Sequence, residues 1–152
     1  MRILLILLAG LFCFTAAAIA GDSEWGSREE AVAMVKRVQE KFRRDGAEAT
    51  FAAISDKSVA EFHDRDLYPF AYDFNGVSLA HGARPALIGK NLLSLKDQDG
   101  KHLIRDMVEI ATTKGSGWIE YKWPHPVTNK IEDKTSYIER MGNYFVGVGV
   151  RP

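Results

Sequence analysis

Aromatic and cationic side chains recur in the second half of this sequence in a pattern that could hold a small anion. Tyr121 and Trp123 share one face of a predicted strand, Lys134 and Tyr137 lie in the next strand region, and His81 ends an earlier hairpin. A small carboxylate needs a fixed positive charge, one or two hydroxyl donors and apolar walls that exclude water. Aromatic residues on a strand face are also ordinary packing residues, and the residues alone favour that simpler interpretation.

Other kinds of chemistry find less support. Gly115-Ser116-Gly117 lacks the strand and helix order of a nucleophile elbow, and it is typical of a helix end followed by a strand. Asp97-Gln98-Asp99-Gly100 begins like a calcium loop, but no glutamate stands at the twelfth position, which favours a turn. We therefore expect neither nucleophilic catalysis nor a cofactor. We also expect no metal site, because the four histidines are scattered without ligand spacing: His63, His81, His102 and His125.

Length and charge restrict the class of partner. The chain has 152 residues, which is enough for one domain with a modest core. Its 20 basic and 20 acidic residues give a formal net charge of zero. Because nucleic-acid recognition usually requires a basic face, we expect no nucleic-acid partner.

The first 20 residues have the composition of a secretory signal peptide. Arg2 supplies a positive start, residues 3–14 are almost continuously apolar, and Ala18-Ile19-Ala20 is a small-residue cleavage pattern. We expect cleavage near Ala20, with an uncleaved N-terminal anchor as the alternative. The only cysteine, Cys13, lies in the apolar run, so the mature chain would contain no disulfide or thiolate. The predicted location is outside the cytoplasm, either in a bacterial periplasm or secreted.

A long amphipathic helix is predicted to follow. Ser27 and Glu30 fit a capping box, and the apolar residues after them recur at three- and four-residue spacing. Gly46 is a natural stop, after which residues 47–54 form a second, shorter helix. The apolar stripe could cover a sheet or pair with a second copy of the chain, and its members are Val32, Val35, Val38 and Phe42.

The pattern then changes from helix to strand. Asn75-Gly76 is a strong hairpin signal between strands over residues 67–73 and 77–81. Pro69 weakens the first of these strands and suggests an edge position or a late strand start. A helix over residues 103–111 follows, after a loop.

Three further strands are predicted at the C-terminal end, over residues 118–123, 135–140 and 144–150. Gly147 and Gly149 share one face of the last strand and leave room there for a neighbour or a ligand. The order of elements predicts one α+β domain, in which a five-stranded antiparallel sheet carries the long helix on one face.

Residues 27–150 resemble a single Cache domain of the second type. The family has a PAS-like fold, with a long N-terminal helix on a five- or six-stranded antiparallel sheet. The resemblance is carried by these segments in order: Asp66-Leu67-Tyr68, Tyr72-Asp73, Ala80-His81-Gly82, residues 85–91, Asp99-Gly100-Lys101, Gly117-Trp118, residues 121–124, Lys134, Ser136-Tyr137 and Gly147-Val148-Gly149.

The resemblance implies a sensor of small molecules outside the cytoplasm, with no output domain of its own in this sequence. Such domains usually form the input part of chemoreceptors and sensor kinases, and where ligands are known they are frequently short organic acids such as acetate, propionate, pyruvate or lactate. For this chain the resemblance implies a ligand of this kind and a membrane-bound signalling partner. The implied ligand-binding residues here are Tyr72, His81, Tyr121, Trp123, Lys134 and Tyr137.

Strand geometry and one departure from the family pattern qualify this set. In a regular strand Lys134 and Tyr137 would point to opposite faces, so both can line one pocket only with a bulge or a late strand start. Arg84 stands where a small polar residue is common, and it would favour a diacid if it turned inward. The alternatives are a small periplasmic enzyme with His81 as its base near Tyr121, or an interaction subunit without a small ligand.

Overall fold

The computed structural model describes residues 24–151 and shows one antiparallel sheet with helices on both faces. The strands are β1 (Pro69–Asp73), β2 (Ser78–His81), β3 (Ser116–Pro124), β4 (Ile131–Met141) and β5 (Tyr144–Val150). These five strands are arranged in the spatial order β2-β1-β5-β4-β3. The predicted α+β class, with a long N-terminal helix on a five-stranded sheet, is confirmed.

The long helix, α1, spans Arg28–Ser55 and begins at the predicted capping box. The Ser27 hydroxyl accepts a hydrogen bond from the Glu30 N–H at 3.2 Å, and the Glu30 carboxylate accepts one from the Ser27 N–H at 2.7 Å. Gly46 interrupts the helix with a φ of +83°, a conformation that glycine adopts without a steric penalty. The predicted stop is therefore a kink, and the second helical segment follows it directly.

The apolar side of α1 covers one face of the sheet. Met34, Val35 and Val38 are each 0% exposed, and burying a side chain of this kind contributes about 1.5–3 kcal/mol. Val32 and Phe42, the other members of the predicted stripe, are half-buried. The central part of the stripe is thus used inside the domain.

The predicted hairpin forms from β1 and β2, and Gly76 occupies its turn with a φ of +79°. Pro69 is the first residue of β1, which lies between β2 and β5. The late strand start is therefore correct and the edge position is wrong. A register shift at Ala71/Tyr72 pairs Tyr72 with Ser78.

The C-terminal strands form a regular meander. β4 is longer than the predicted 135–140, and it pairs with β3 without a shift from Ser116↔Glu139 to Pro124↔Ile131. Helix α2 spans Leu103–Glu109 and continues into a π-helical turn over Ile110–Lys114. This helix packs on the face of the sheet opposite α1.

Alternating residues of the strands divide between two cores. Val146, Val148 and Val150 of β5 face α1, whereas Phe145 faces α2. Gly147 also faces α2, where an added Cβ would lie 2.5 Å from the Phe70 ring. The absent side chain is what allows that aromatic ring to pack against β5.

The predicted signal peptide, residues 1–20, lies outside the described residues and so does Cys13. Within residues 24–151, no helix is both long enough and apolar enough to cross a bilayer.

Candidate ligand-binding site

A small cavity lies between α2 and the sheet. The centre of a water molecule can occupy about 10 Å³ of it, which is about the room of one water. Aromatic side chains of the sheet form its floor and sides, and aliphatic side chains of α2 cover it. The lining residues are Tyr68, Phe70, Tyr72, His81, Leu103, Ile104, Met107, Tyr121 and Trp123. The structure therefore brings four of the six predicted site residues into one cavity.

Tyr68 was not among the predicted site residues, although it lines the cavity. It is 6% exposed, and it precedes β1 by one residue. Tyr68, Phe70 and Tyr72 alternate along the chain, so strand periodicity places all three on the cavity face. This alternation was the signal in the sequence for Tyr68. It was obscured because Pro69 argued against a paired strand at this point.

Lys134 does not line the cavity itself, but it contacts Tyr68, which does. The Lys134 ammonium donates a hydrogen bond of 2.8 Å to the Tyr68 hydroxyl and lies 4.1 Å from the centroid of the same ring. Gly149 makes this position available, because an added Cβ would lie 2.0 Å from Cε of Lys134. A charged group is thus fixed beside the aromatic cavity.

His81 is held as a neutral ring. Its Nδ1 accepts hydrogen bonds from the N–H groups of Ala83 at 3.3 Å and Arg84 at 3.0 Å. Burial lowers the pKa of His81 to about 3, with further contributions from the positive charges of Lys134 and Arg84. With Nδ1 acting as an acceptor, the ring proton is on Nε2, which is therefore a donor.

The neighbouring aromatic rings hold the imidazole in place. The ring of His81 stacks on Phe70 and on Trp123, with centroids 6.0 and 6.4 Å away. Because His81 is 2% exposed, these rings shield it from solvent. The donor at Nε2 is thus presented from an apolar setting.

The tyrosine hydroxyls at the cavity are also neutral donors. Tyr121 forms a buried hydrogen bond of 2.8 Å with the Ser136 hydroxyl. Burial raises the pKa of Tyr121 well above its usual range and raises the pKa of Tyr72 to about 12. Both phenols therefore stay protonated at neutral pH, so the site combines neutral donors with one ammonium group.

Tyr137 does not reach the cavity. β4 runs in one register along β3 and β5, so residues three apart point to opposite faces. Lys134 extends over Gly149 on the α2 side, while Tyr137 packs against Trp118 on the α1 side, with ring centroids 5.3 Å apart. The bulge that a shared pocket would require does not occur in this part of β4.

Arg84 turns away from the cavity, but it is more than loop surface. Its guanidinium donates hydrogen bonds to the Asn129 side chain at 3.0 Å and to the Pro124 carbonyl at 3.5 Å. It therefore links the loop after β2 to the turn between β3 and β4. Among the described residues no three histidine or acidic side chains gather into a group that could hold a metal ion.

The family follows from a comparison over almost the whole described chain. A family model described as a Cache domain (dCache_2) matches residues 27–151. The chain belongs to the Cache domain family. The matched residues build one sheet, so they form a single Cache domain, as the resemblance implied.

Two curated relatives are a sensor kinase and a chemotaxis protein by name. This Cache domain is 37% identical over 91 residues to the sensor histidine kinase MctS of Rhizobium johnstonii. It is 31% identical over 90 residues to the methyl-accepting chemotaxis protein McpP of Pseudomonas putida. Each alignment covers 58% of this chain but only 19% and 16% of the relatives. The similarity therefore concerns their sensor portion.

Solved structures share the fold. A methyl-accepting chemotaxis protein from Vibrio parahaemolyticus superposes with a TM-score of 0.69 and 25% identity, over 81% of this chain and 86% of that one. A second structure, described as "Structural basis for carboxylic acid recognition by a Cache chemosensory domain", gives a TM-score of 0.63 and 26% identity over the same shares. These relatives are sensor domains of chemoreceptors and kinases, and Cache domains act outside the cytoplasm.

Proposed function

We propose that this Cache domain is a periplasmic or secreted sensor that binds a short monocarboxylate of the acetate, propionate, pyruvate or lactate kind. One observation carries the proposal: the Lys134 ammonium is held by Tyr68, which is a wall residue of an aromatic cavity. An ammonium in such a setting forms a stronger hydrogen bond to a carboxylate than it does in water.

Neutral donors complete the polar half of the site. The ligand carboxylate accepts hydrogen bonds from Lys134, from the Tyr68 hydroxyl and from Nε2–H of His81. Tyr121 already uses its hydroxyl on Ser136, so it serves mainly as a wall, together with Tyr72. This arrangement favours an anion, because it combines hydrogen-bond donors with one positive charge.

The apolar half of the site comes from α2. Leu103, Ile104 and Met107 are each 1% exposed and cover the cavity. The methyl or methylene end of the ligand packs against them, where the hydrophobic effect favours it. Because the free space is that of a single water, side chains must move outward on binding, and half-buried Trp123 is the wall residue best placed to do so.

The comparisons support this choice of ligand class. The solved Cache structure with 26% identity is described by carboxylic acid recognition, and its fold covers 81% of this chain. Those words concern that protein. For this chain the ligand class follows from Lys134, from the neutral donors and from the small apolar enclosure.

The partner in this proposal is a membrane-bound signalling protein that responds to the ligand state. The two curated relatives join their sensor portion to kinase or chemoreceptor function. A homodimer through α1 would use its exposed side, since Val35 and Val38 are buried against the sheet. Export with cleavage near Ala20 would deliver the domain to its ligand.

The alternative function, a small enzyme that uses His81 as its base, has weaker support. Nδ1 of His81 already accepts two backbone hydrogen bonds, and the pKa of the ring is about 3. A general base works best with a pKa near the operating pH. His81 is therefore better suited to donate a hydrogen bond than to remove a proton.

A thermal-shift panel tests the proposal. Acetate, propionate, pyruvate and lactate are each added to the purified protein and to Lys134→Met and Lys130→Met variants. A ligand at one hundred times its Kd stabilises by about 2.7 kcal/mol, which raises Tm by several degrees. We expect a shift in the parent and in Lys130→Met, whose side chain is exposed in the β3–β4 turn, and none in Lys134→Met. No shift with any acid, or an equal shift in all three proteins, would refute the assignment.

A further inference from the structure

An outer pocket of about 300 Å³ lies beside the cavity and shares two wall residues with it, Leu103 and Trp123. It opens between the loop after β2, the segment before α2 and the far end of β3. Its apolar walls include Leu87, Leu95 and Ile131, in addition to the two shared residues. A pocket of this size and character is typical of small-molecule sites.

The charge around the outer pocket is predominantly positive. Its charged lining residues are Arg84, Lys96, Lys122 and Asp97. The Asp97 carboxylate is already engaged, because it accepts hydrogen bonds from the N–H groups of Lys101 and Lys122 at 2.9 and 3.0 Å. Lys122 pairs with Asp133. The remaining cations give the pocket a preference for an anion.

Two of these cations, Arg84 and Lys96, have N–H donors that make no hydrogen bond among the described residues. Nε of Arg84 is buried without a hydrogen-bond partner among the described residues, although the end of the guanidinium is bound to Asn129. A buried donor without a partner costs about 1–3 kcal/mol, and the guanidinium beside the pocket is thus not fully hydrogen-bonded. Lys96 is exposed at the rim, and within residues 24–151 no side chain pairs with it.

We infer that the outer pocket is a second binding site, which takes an organic monoanion with a larger apolar body than the cavity admits. The carboxylate is bound by Lys96, beside the positive charge of Arg84. The alkyl or aromatic body lies against Leu87, Leu95 and Ile131, and Ile131 is 48% exposed without such a ligand. Trp123 forms the partition, so an occupant of the outer pocket contacts the same indole that closes the cavity.

Calorimetric titration of hexanoate and benzoate tests the inference, with Ile131→Asp and Lys96→Met as the outer-pocket variants. Ile131 is exposed, so an aspartate there is compatible with folding and places a negative charge where the apolar body would lie. We expect a tenfold or greater loss of hexanoate or benzoate affinity in Ile131→Asp and a several-fold loss in Lys96→Met. Lys90→Met is the matched control, since Lys90 is exposed and lies outside the pocket, and it should bind like the parent.

The Lys134→Met variant and competition with acetate distinguish binding in the outer pocket from binding in the inner cavity. Hexanoate binding that survives Lys134→Met and is not displaced by acetate supports a separate outer site, whether or not acetate itself binds. Hexanoate binding that is lost in Lys134→Met, or that is unaffected by Ile131→Asp, overturns the outer site. Absence of binding of both probes at millimolar concentration also overturns it. Titration of acetate into the same proteins tests the proposed function separately.

Discussion

The Lys134 ammonium lies 2.8 Å from the hydroxyl oxygen of Tyr68, a residue 66 positions earlier in the chain. The bond joins β4 to the residue before β1 and crosses β5 at Gly149, where a side chain would collide with the lysine. The charge that we assign to ligand binding is thus positioned by three separate segments. Each of them can be tested by itself.

Replacing Tyr68 with phenylalanine should weaken acetate binding by about tenfold or more. The ring would remain as a cavity wall, but the hydroxyl that binds both Lys134 and the ligand would be lost, and hydrogen bonds to charged groups contribute about 1.5–3 kcal/mol. Calorimetric titration measures the change. Tyr137→Phe removes a hydroxyl from the opposite face of the sheet and should leave the affinity unaltered. Equal losses in both variants would show that the effect is not local to the cavity.

Gly149→Ala should reduce acetate affinity more than it reduces stability. The added Cβ would lie 2.0 Å from Cε of Lys134 and 2.6 Å from the Ser136 hydroxyl, and the flexible lysine can move away at modest cost. Gly147→Ala is the contrasting variant, because its Cβ would meet the Phe70 ring and Ile138 at 2.5 and 2.7 Å. Overpacking of that kind costs about 1–3 kcal/mol. Urea unfolding and calorimetry of the two variants should separate the effects, and unchanged affinity in Gly149→Ala would count against Lys134 as a ligand-binding group.

Stability should fall on acidification in a way that depends on His81. Its pKa is lowered by burial to about 3 in the folded state, against an ordinary value near 6.5. As pH falls between these values, the unfolded chain takes up a proton at this histidine and the folded chain does not. The stability that comes from a neutral His81 is therefore fully present above about pH 6.5 and is lost as pH falls.

Between pH 7 and pH 5 the parent should lose about 2 kcal/mol more unfolding free energy than His81→Asn. The asparagine side chain can accept the backbone hydrogen bonds of Nδ1 without titrating. Urea unfolding of both proteins at the two pH values measures the difference. An identical pH dependence, or an NMR titration of His81 with a midpoint above pH 6, would contradict a buried neutral imidazole.

Ser27→Ala should lower the unfolding free energy by about 1 kcal/mol. The hydroxyl accepts the Glu30 N–H at the start of α1, and alanine leaves that donor without a side-chain partner. Ser27→Gly should cost only a few tenths of a kcal/mol, because glycine is tolerated at this position. Urea unfolding at neutral pH provides the comparison, and an equal loss in the two variants would show that the cap contributes little.

Local patterns predicted the elements of the fold well. The capping box at Ser27, the break in the helix at Gly46 and the turn at Gly76 each depend on short-range chemistry that a sequence displays directly, although the break at Gly46 is a kink and not the predicted stop. The order of the strands in the sheet is not visible in local sequence, because it depends on which faces of distant elements can be buried together. Pro69 illustrates the limit: a proline at the first position of a strand is tolerated inside a sheet, so it did not mark an edge.

The placement of the candidate site residues was predicted in part, because strand periodicity indicates which face a residue occupies, whereas the reach of a side chain is not visible in local sequence. Tyr121, Trp123, Tyr72 and His81 share the cavity face as their spacing implies. Tyr137 was grouped with Lys134 from the aromatic and cationic pattern and again from the resemblance, although their separation by three residues already opposed it. The hydrogen bond from Lys134 to Tyr68 required the lysine to cross β5, and no local pattern encodes a contact between residues so far apart.

The position of a bound acid tests the central claim most directly. Methyl-labelled [13C]acetate is added to the purified protein, and isotope-filtered nuclear Overhauser contacts from its methyl group are recorded. The account predicts contacts to the side chains of Leu103, Ile104 and Met107, and their loss in Lys134→Met. Contacts only to the α1 side of the sheet, such as Val146 or Val35, or only to Leu87 and Ile131 of the outer pocket, would contradict it.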